Sequence, residues 1–177
     1  MKQGKVFFVR HGESEANTKG MFAGQRENSP LTEKGREQAK QAALDLLNKK
    51  IKPQRVIVSP LIRAYETAQI IIRNANLQDV KIIVEERVAE YDMGSFTGTP
   101  YRKITSAELI AAENAEDPQK FMDRVHNLLE EIINANEIIL IVSHAGVGRI
   151  IETKKKGLPA STFYDLDPPP NAQVIEL

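Results

Sequence analysis

The chain has no cysteine and no surplus of charge of either sign: its 177 residues carry 24 Lys and Arg against 24 Asp and Glu. Without cysteine there are no disulfides and no thiolate metal sites, and a reducing cytosol suits the chain, so a cytoplasmic location is expected. Without a surplus of positive charge there is no broad footprint for nucleic acid or for an anionic membrane, and any anion specificity has to be local. Long hydrophobic runs are also missing. Residues 1–5 lack the apolar stretch of a signal peptide, and no later segment reaches the length that spans a bilayer. No internal repeat or low-complexity tract stands out. The length suits a single well-buried domain over residues 1–177 and is short for two.

What is present is a series of short apolar runs. Residues 5–9, 55–58, 81–84 and 138–142 are rich in Val and Ile without polar alternation, the pattern of strands buried on both faces. Helical periodicity separates them. Ala39, Ala43, Leu46 and Leu47 mark a helix over 32–48, Ala64, Ala68, Ile71 and Ile72 one over 61–73, and Phe121, Val125, Leu128, Leu129 and Ile132 one over 121–133. Strands alternating with helices predict right-handed crossovers and a mainly parallel sheet in a three-layer α/β/α fold.

Local signals refine that plan. Ser59 is expected to cap the second helix with Pro60 in its first turn, which places Arg63 in that turn as well. Gly35 lies early in the preceding helix at a cost of about 1 kcal/mol relative to alanine, so a side chain is expected to clash there. Lys154, Lys155 and Lys156 before Gly157 read as a solvated last helical turn rather than a nucleic-acid patch. Pro168, Pro169 and Pro170 form a stiff connector, after which residues 172–177 can return as an edge or final strand. The longest irregular stretches, 20–31 and 91–100, are where function is expected.

Each of the four apolar runs is followed by a distinctive polar group: Arg10 and His11 after the first, Arg63 after the second, Glu90 after the third and His144 after the fourth. In a parallel sheet all carboxyl ends face one way, so these groups should converge on one edge. Two guanidinium forks match the geometry of a phosphate dianion, and protonated His144 and Asn17 can add donors. A helix opening through Ala145 and Gly146 adds backbone N–H groups and the positive end of a dipole. Neutral His11 can then attack phosphorus while His144 stabilises the oxygens. Glu90 can protonate the leaving alkoxide and afterwards activate water against the phosphohistidine. His126 sits in a helical pattern with no matching partner and reads as structural or exposed.

Several segments taken together resemble the histidine phosphatase superfamily, also called the phosphoglycerate mutase-like family, over nearly the whole chain. They are Val9-Arg10-His11-Gly12-Glu13-Ser14-Glu15-Ala16-Asn17; Ser29-Pro30-Leu31-Thr32-Glu33-Lys34-Gly35 with Gln38-Ala39; Ser59-Pro60-Leu61 with Arg63-Ala64 and Thr67-Ala68; Glu90, Gly94, Phe96 and Gly98; and Ser143-His144-Ala145-Gly146-Val147. The resemblance implies transient phosphorylation of His11, phosphoryl binding by Arg10, Arg63 and His144 with Asn17 as a further pocket residue, and Glu90 as proton donor. It also implies a small phosphorylated substrate and no metal or organic cofactor. Departures gather around the pocket. Gln25 stands where an aromatic residue often follows Gly24, the stretch from Gln25 to Ser29 is one residue longer than usual, Thr97 replaces a common acid and Ala145 a frequent glycine. Gly24 and Gln25 are therefore expected to bear on substrate preference more than on chemistry.

Mutases of that family generally carry longer insertions and a closing tail, so hydrolysis of a small phosphomonoester is expected here. Mutase-type phosphoryl transfer and a catalytically silent phospho-ligand binding domain are the alternatives. His11-Gly12-Glu13 matches the His-x-Glu part of zinc deaminases, whose paired cysteines this chain lacks. Gly146-Val147-Gly148 falls short of a dinucleotide loop because Ile151 takes the third glycine position. No motif fixes the natural substrate or an oligomeric state.

Overall fold

A computed structural model describes residues 4–177 of the chain. In chain order the elements are β1 Lys5–Arg10, α1 Glu15–Thr18, α2 Glu33–Asn48, β2 Arg55–Val58, α3 Ile62–Asn74, β3 Lys81–Val84, α4 Ser106–Ile110, α5 Pro118–Ile133, β4 Ile138–Ser143, α6 Ala145–Lys155 and β5 Val174–Glu176. The strands form one sheet in the order β3-β2-β4-β1-β5. The first four are parallel, and β5, arriving through the triple proline, adds antiparallel to the free edge of β1.

Alternation along the strands divides the interior into two layers. Phe7 and Val9 of β1, Val56 and Val58 of β2, and Leu140 and Val142 of β4 point to the face covered by α2 and α3, where Ala42, Leu46, Ala64 and Ile71 pack. Phe8, Ile57, Ile139 and Ile141 point the other way, onto Val125, Leu128, Val147 and Ile150 of α5 and α6. Helices on both faces of a mostly parallel sheet make the expected three-layer arrangement. Among the described residues no helix is long and apolar enough to cross a membrane.

One strand departs from its pattern. The run at 81–84 reads as buried on both faces, yet Ile82 is 42% exposed and Val84 53%. β3 is the edge strand and pairs with β2 alone, and an apolar run does not reveal its place in the strand order. The second helix also starts later than expected. Its N-cap is Leu61, and the Ile62 N–H is met from a distance by Oδ1 of Asn28 at 2.8 Å. Ser59 stands two residues before that cap, where its hydroxyl accepts the Leu61 N–H at 3.3 Å and also lies 2.6 Å from Nε2 of His144.

The glycines at 12 and 35 lock the loop after β1 against α2. A Cβ on Gly35 would lie 2.0 Å from the Glu13 carbonyl oxygen, and one on Gly12 would lie 2.3 Å from the Gly35 carbonyl oxygen. Thr32 caps α2, accepting the Gly35 N–H at 3.0 Å. At the far end of α6, Lys154 and Lys155 occupy the last turn, and Gly157 takes the left-handed conformation with φ of 65°.

Candidate active site

The register brings the strand ends level. Val9 of β1 and Val58 of β2 both pair with Val142 of β4, and Arg10 pairs with Ser143. The residue that leaves each strand therefore enters the same space. His11 continues the ladder by donating its N–H to the Ser143 carbonyl at 2.8 Å, which fixes the direction of its side chain.

The hydrogen bonds of His11 select a tautomer. Nδ1 lies 2.6 Å from the Gly12 carbonyl, an acceptor only, so Nδ1 carries the proton. Nε2 then holds a lone pair, toward which Nε–H of Arg63 points at 3.3 Å. The ring is buried. Burial, reinforced by the guanidinium groups of Arg63 and Arg10, holds its pKa well below the usual histidine range, so the imidazole is neutral near pH 7.

His144 stands behind it at the N-cap of α6, fully buried, with its ring centroid 5.2 Å from that of His11. Burial first, then Arg63, His11 and Arg10, push its pKa well down too. The expected positive charge on His144 is thus opposed first by burial and then by neighbouring basic groups. A neutral ring can still donate. Ser59 Oγ accepts the Leu61 N–H at 3.3 Å and lies 2.6 Å from Nε2. If the hydroxyl gives its own proton to Nε2, then Nδ1 carries the ring proton, and Nδ1 is buried without a partner.

The two arginines are held differently. Arg63, buried in the first turn of α3, spends Nη1 and Nη2 on the carbonyls of Glu27 at 2.9 Å and Gly24 at 2.8 Å, so it fastens the loop of residues 20–31 over the site. Arg10 donates Nη1 to the Pro169 carbonyl at 3.0 Å and leaves Nε buried without an acceptor. The connector at 168–170 therefore orients Arg10 as well as returning the chain to β5.

Glu90 follows a 3-10 turn after β3. Its Oε1 accepts the N–H groups of Tyr91 at 2.9 Å and Gly146 at 3.0 Å. A Cβ on Gly146 would lie 2.2 Å from that oxygen, so glycine is what lets the carboxyl reach the helix terminus. The Gly146 N–H expected to face phosphate therefore serves Glu90. The Ala145 N–H, at the first helical position, has no intrahelical acceptor, and Ala145 lines the cavity.

A cavity of about 320 Å³ joins these groups, with Arg10, His11, Asn17, Gly24, Arg63, Glu90 and Ala145 in its wall. Asn17 has its Oδ1 taken by the Ser14 N–H at 3.0 Å in a capping box, so only its amide N–H groups remain to offer. Two expected residues lie outside the wall: His144 is beneath it, and Gln25 turns away and donates Nε2 to the Glu90 carbonyl at 2.7 Å. His126 is on α5 and borders a separate cavity.

Sequence reasoning missed four contributors. Arg124 grips the Glu90 segment, donating to the carbonyls of Arg87 at 2.7 Å, Ala89 at 2.9 Å and Glu90 at 3.0 Å while pairing with Glu116 at 2.7 Å. Asn171 Nδ2 donates to the His11 carbonyl at 2.7 Å, and no local signal marks it. Arg149 and Tyr164 line the outer cavity. Arg149 was legible, being one helical turn beyond Ala145 and so on the same face.

The sequence profile of the histidine phosphatase superfamily (branch 1) matches residues 6–177, and the chain belongs to that family. It is similar to the 2,3-bisphosphoglycerate-dependent phosphoglycerate mutase of Thermoplasma acidophilum, 32% identical over 165 residues that cover 92% of this chain and 76% of that protein. It is also similar to the adenosylcobalamin/alpha-ribazole phosphatase of Salmonella typhimurium, 31% identical over 174 residues, covering 90% and 83%. The solved structure of Bacillus stearothermophilus YhfR shares the fold with a TM-score of 0.84 at 23% identity, over 98% of this chain and 90% of that one.

Proposed function

We propose that the protein hydrolyses small phosphomonoesters through a phosphohistidine formed on Nε2 of His11. The observation that carries this reading is the hydrogen-bonded tautomer of His11, whose bare Nε2 lies beside Arg63 and is neutral near pH 7. Such a nitrogen is a nucleophile already free of its proton.

The phosphoryl oxygens are received by Arg10 and Arg63, by Nδ1–H of His144 and by the Ala145 N–H, with Asn17 at the rim. In the first step the Nε2 lone pair forms the N–P bond as the P–O bond to the alcohol breaks. Glu90, held through Oε1, delivers a proton from Oε2 to the departing oxygen. In the second step Glu90 takes a proton from water, the water oxygen bonds to phosphorus, the N–P bond breaks and Nε2 regains its lone pair. The Gly12 carbonyl accepts a hydrogen bond from Nδ1–H throughout and stabilises the positive charge that develops on the ring.

One of the similar proteins is named for mutase activity and another for phosphatase activity, and identities of 32% and 31% do not choose between them. The choice of hydrolysis rests on access. Tyr101 at the rim is 59% exposed, and the carboxyl that activates water lines the cavity that opens there. Incubation of the purified protein with a phosphoglycerate and its bisphosphate tests this. Phosphate release faster than isomerisation is expected, and the reverse order would assign a mutase.

A further inference from the structure

Two peptide groups follow His11, and each is gripped at both ends. In the first, which joins His11 to Gly12, the carbonyl accepts Nδ2–H of Asn171 at 2.7 Å and the N–H donates to Oγ1 of Thr67 at 3.1 Å. The Thr67 hydroxyl gives its one proton to the Arg63 carbonyl at 2.7 Å, so a lone pair is what faces Gly12. In the second, which joins Gly12 to Glu13, the carbonyl accepts Nδ1–H of His11 at 2.6 Å and the N–H donates to Oε1 of Gln38 at 2.8 Å. The three side chains come from α2, α3 and the segment before β5, so the grip exists only in the assembled fold. Neither Gln38 nor Thr67 lines the cavity.

The second peptide matters most, because its carbonyl decides which nitrogen of His11 is bare. A peptide unit is rigid and turns as one plane, so the Gly12 carbonyl and the Glu13 N–H cannot move separately. Position 12 has to be glycine, since a Cβ there would lie 2.3 Å from the Gly35 carbonyl oxygen, and glycine offers the adjoining plane little resistance to turning. Turned over, this peptide would present the Glu13 N–H to the ring in place of the carbonyl. Nδ1 would then accept, the ring proton would sit on Nε2, and the lone pair that attacks phosphorus would be gone. Among the described residues Gln38 is the one acceptor that holds the Glu13 N–H against that turn. Its bond also polarises the peptide and strengthens the Gly12 carbonyl as an acceptor.

We infer that Gln38, acting through the Gly12–Glu13 peptide, is the positioning residue that fixes the tautomer of His11, while Asn171 and Thr67 hold the peptide before it. The inference rests on the phosphohistidine reading and goes a step beyond it, from the nucleophile to the side chain that keeps its lone pair free.

Nitrogen NMR of protein labelled in its histidine rings tests this, because it tells a protonated ring nitrogen from a bare one. His11 is assigned by the signals lost in His11→Asn. Wild type is compared at pH 7 with Gln38→Met, which keeps the length of the side chain and removes its acceptor, and with Gln38→Glu, which retains an acceptor oxygen. Wild type and Gln38→Glu are expected to show Nδ1 protonated and Nε2 bare, whereas Gln38→Met should show Nε2 at least partly protonated. For p-nitrophenyl phosphate, kcat should fall roughly tenfold in Gln38→Met with KM within about twofold, since Arg10 and Arg63 still bind the phosphoryl group, and Gln38→Glu should recover most of the loss. A partly folded preparation weakens the signals but leaves the tautomer of the folded ring unchanged. An unaltered tautomer in Gln38→Met, or an equal loss of kcat in Gln38→Glu, would overturn the inference. Wild type that shows a bare Nε2 yet hydrolyses no aryl phosphate would overturn the phosphatase reading instead, and the spectra of the two variants would still decide the role of Gln38.

Discussion

Replacing Gly146 by alanine separates catalysis from folding more cleanly than deleting Glu90. The new Cβ would lie 2.2 Å from Oε1 of Glu90, and ordinary contact begins near 3.4 Å, so the carboxyl must retreat by about 1 Å. The obstacle is the end of a flexible side chain, which moves cheaply. Inside a helix, alanine gains about 1 kcal/mol over glycine, and the weakened Gly146 N–H to Oε1 bond returns a similar or somewhat larger amount. Stability by urea denaturation should therefore stay within about 2 kcal/mol of wild type. The effect on rate is different. A displacement of about 1 Å at a proton donor costs up to roughly 100-fold, so kcat/KM for alkyl phosphates should fall by that order. For p-nitrophenyl phosphate, whose leaving group departs without a proton, the fall should be less than about fivefold. Equal losses on both substrate types, or unchanged alkyl phosphate turnover, would refute the assignment of Glu90 as proton donor.

Other perturbations probe the same contacts. Because the folded pKa values of His11 and His144 lie well below 6.5, the unfolded chain binds more protons below that pH, and stability is full above it. Acidification below pH 6.5 should then cost up to about 1.4 kcal/mol per pH unit for each ring, read by urea melts, and a flat stability from pH 7 to 5.5 would contradict the neutral pair. Gly35→Ala, which drives a Cβ into the Glu13 backbone rather than a side chain, should lose roughly 2 to 3 kcal/mol despite the better helix former, measured by thermal melting. Ser59→Ala removes the hydroxyl that lies 2.6 Å from Nε2 of His144 and should lower kcat/KM about tenfold with little change in KM; a change confined to stability would assign Ser59 to packing alone.

Much of this site was legible because strand ends carry function in parallel sheets. Arg10, His11, Arg63, Glu90 and His144 each come after an apolar run, and the common register of β1, β2 and β4 gathers the residues that leave those strands. The Gly35 clash was legible for a related reason, since glycine in a helix interior signals a close neighbour. Less legible were features set by tertiary contact. Whether an apolar run is central or at an edge depends on strand order, which hid the exposure of Ile82 and Val84. Ser59 has the composition of a cap, yet its hydroxyl is shared between the Leu61 N–H and a buried ring 2.6 Å away, and Asn28 meets the Ile62 N–H from another loop. The family resemblance puts Gln25 in the pocket, but an amide can equally well reach a backbone carbonyl, and Nε2 donates to that of Glu90. Arg124 and Asn171 act on main-chain carbonyls, which no residue pattern announces.

The central claim is that His11 carries the phosphoryl group between the two steps. Rapid acid-free quenching of the enzyme during turnover, with peptide mass spectrometry under conditions that preserve phosphohistidine, reads it directly. One phosphoryl group on the peptide bearing His11, at Nε2 and lost when substrate is exhausted, is the expected result. Turnover with no label on His11, or activity persisting in His11→Ala, would contradict it.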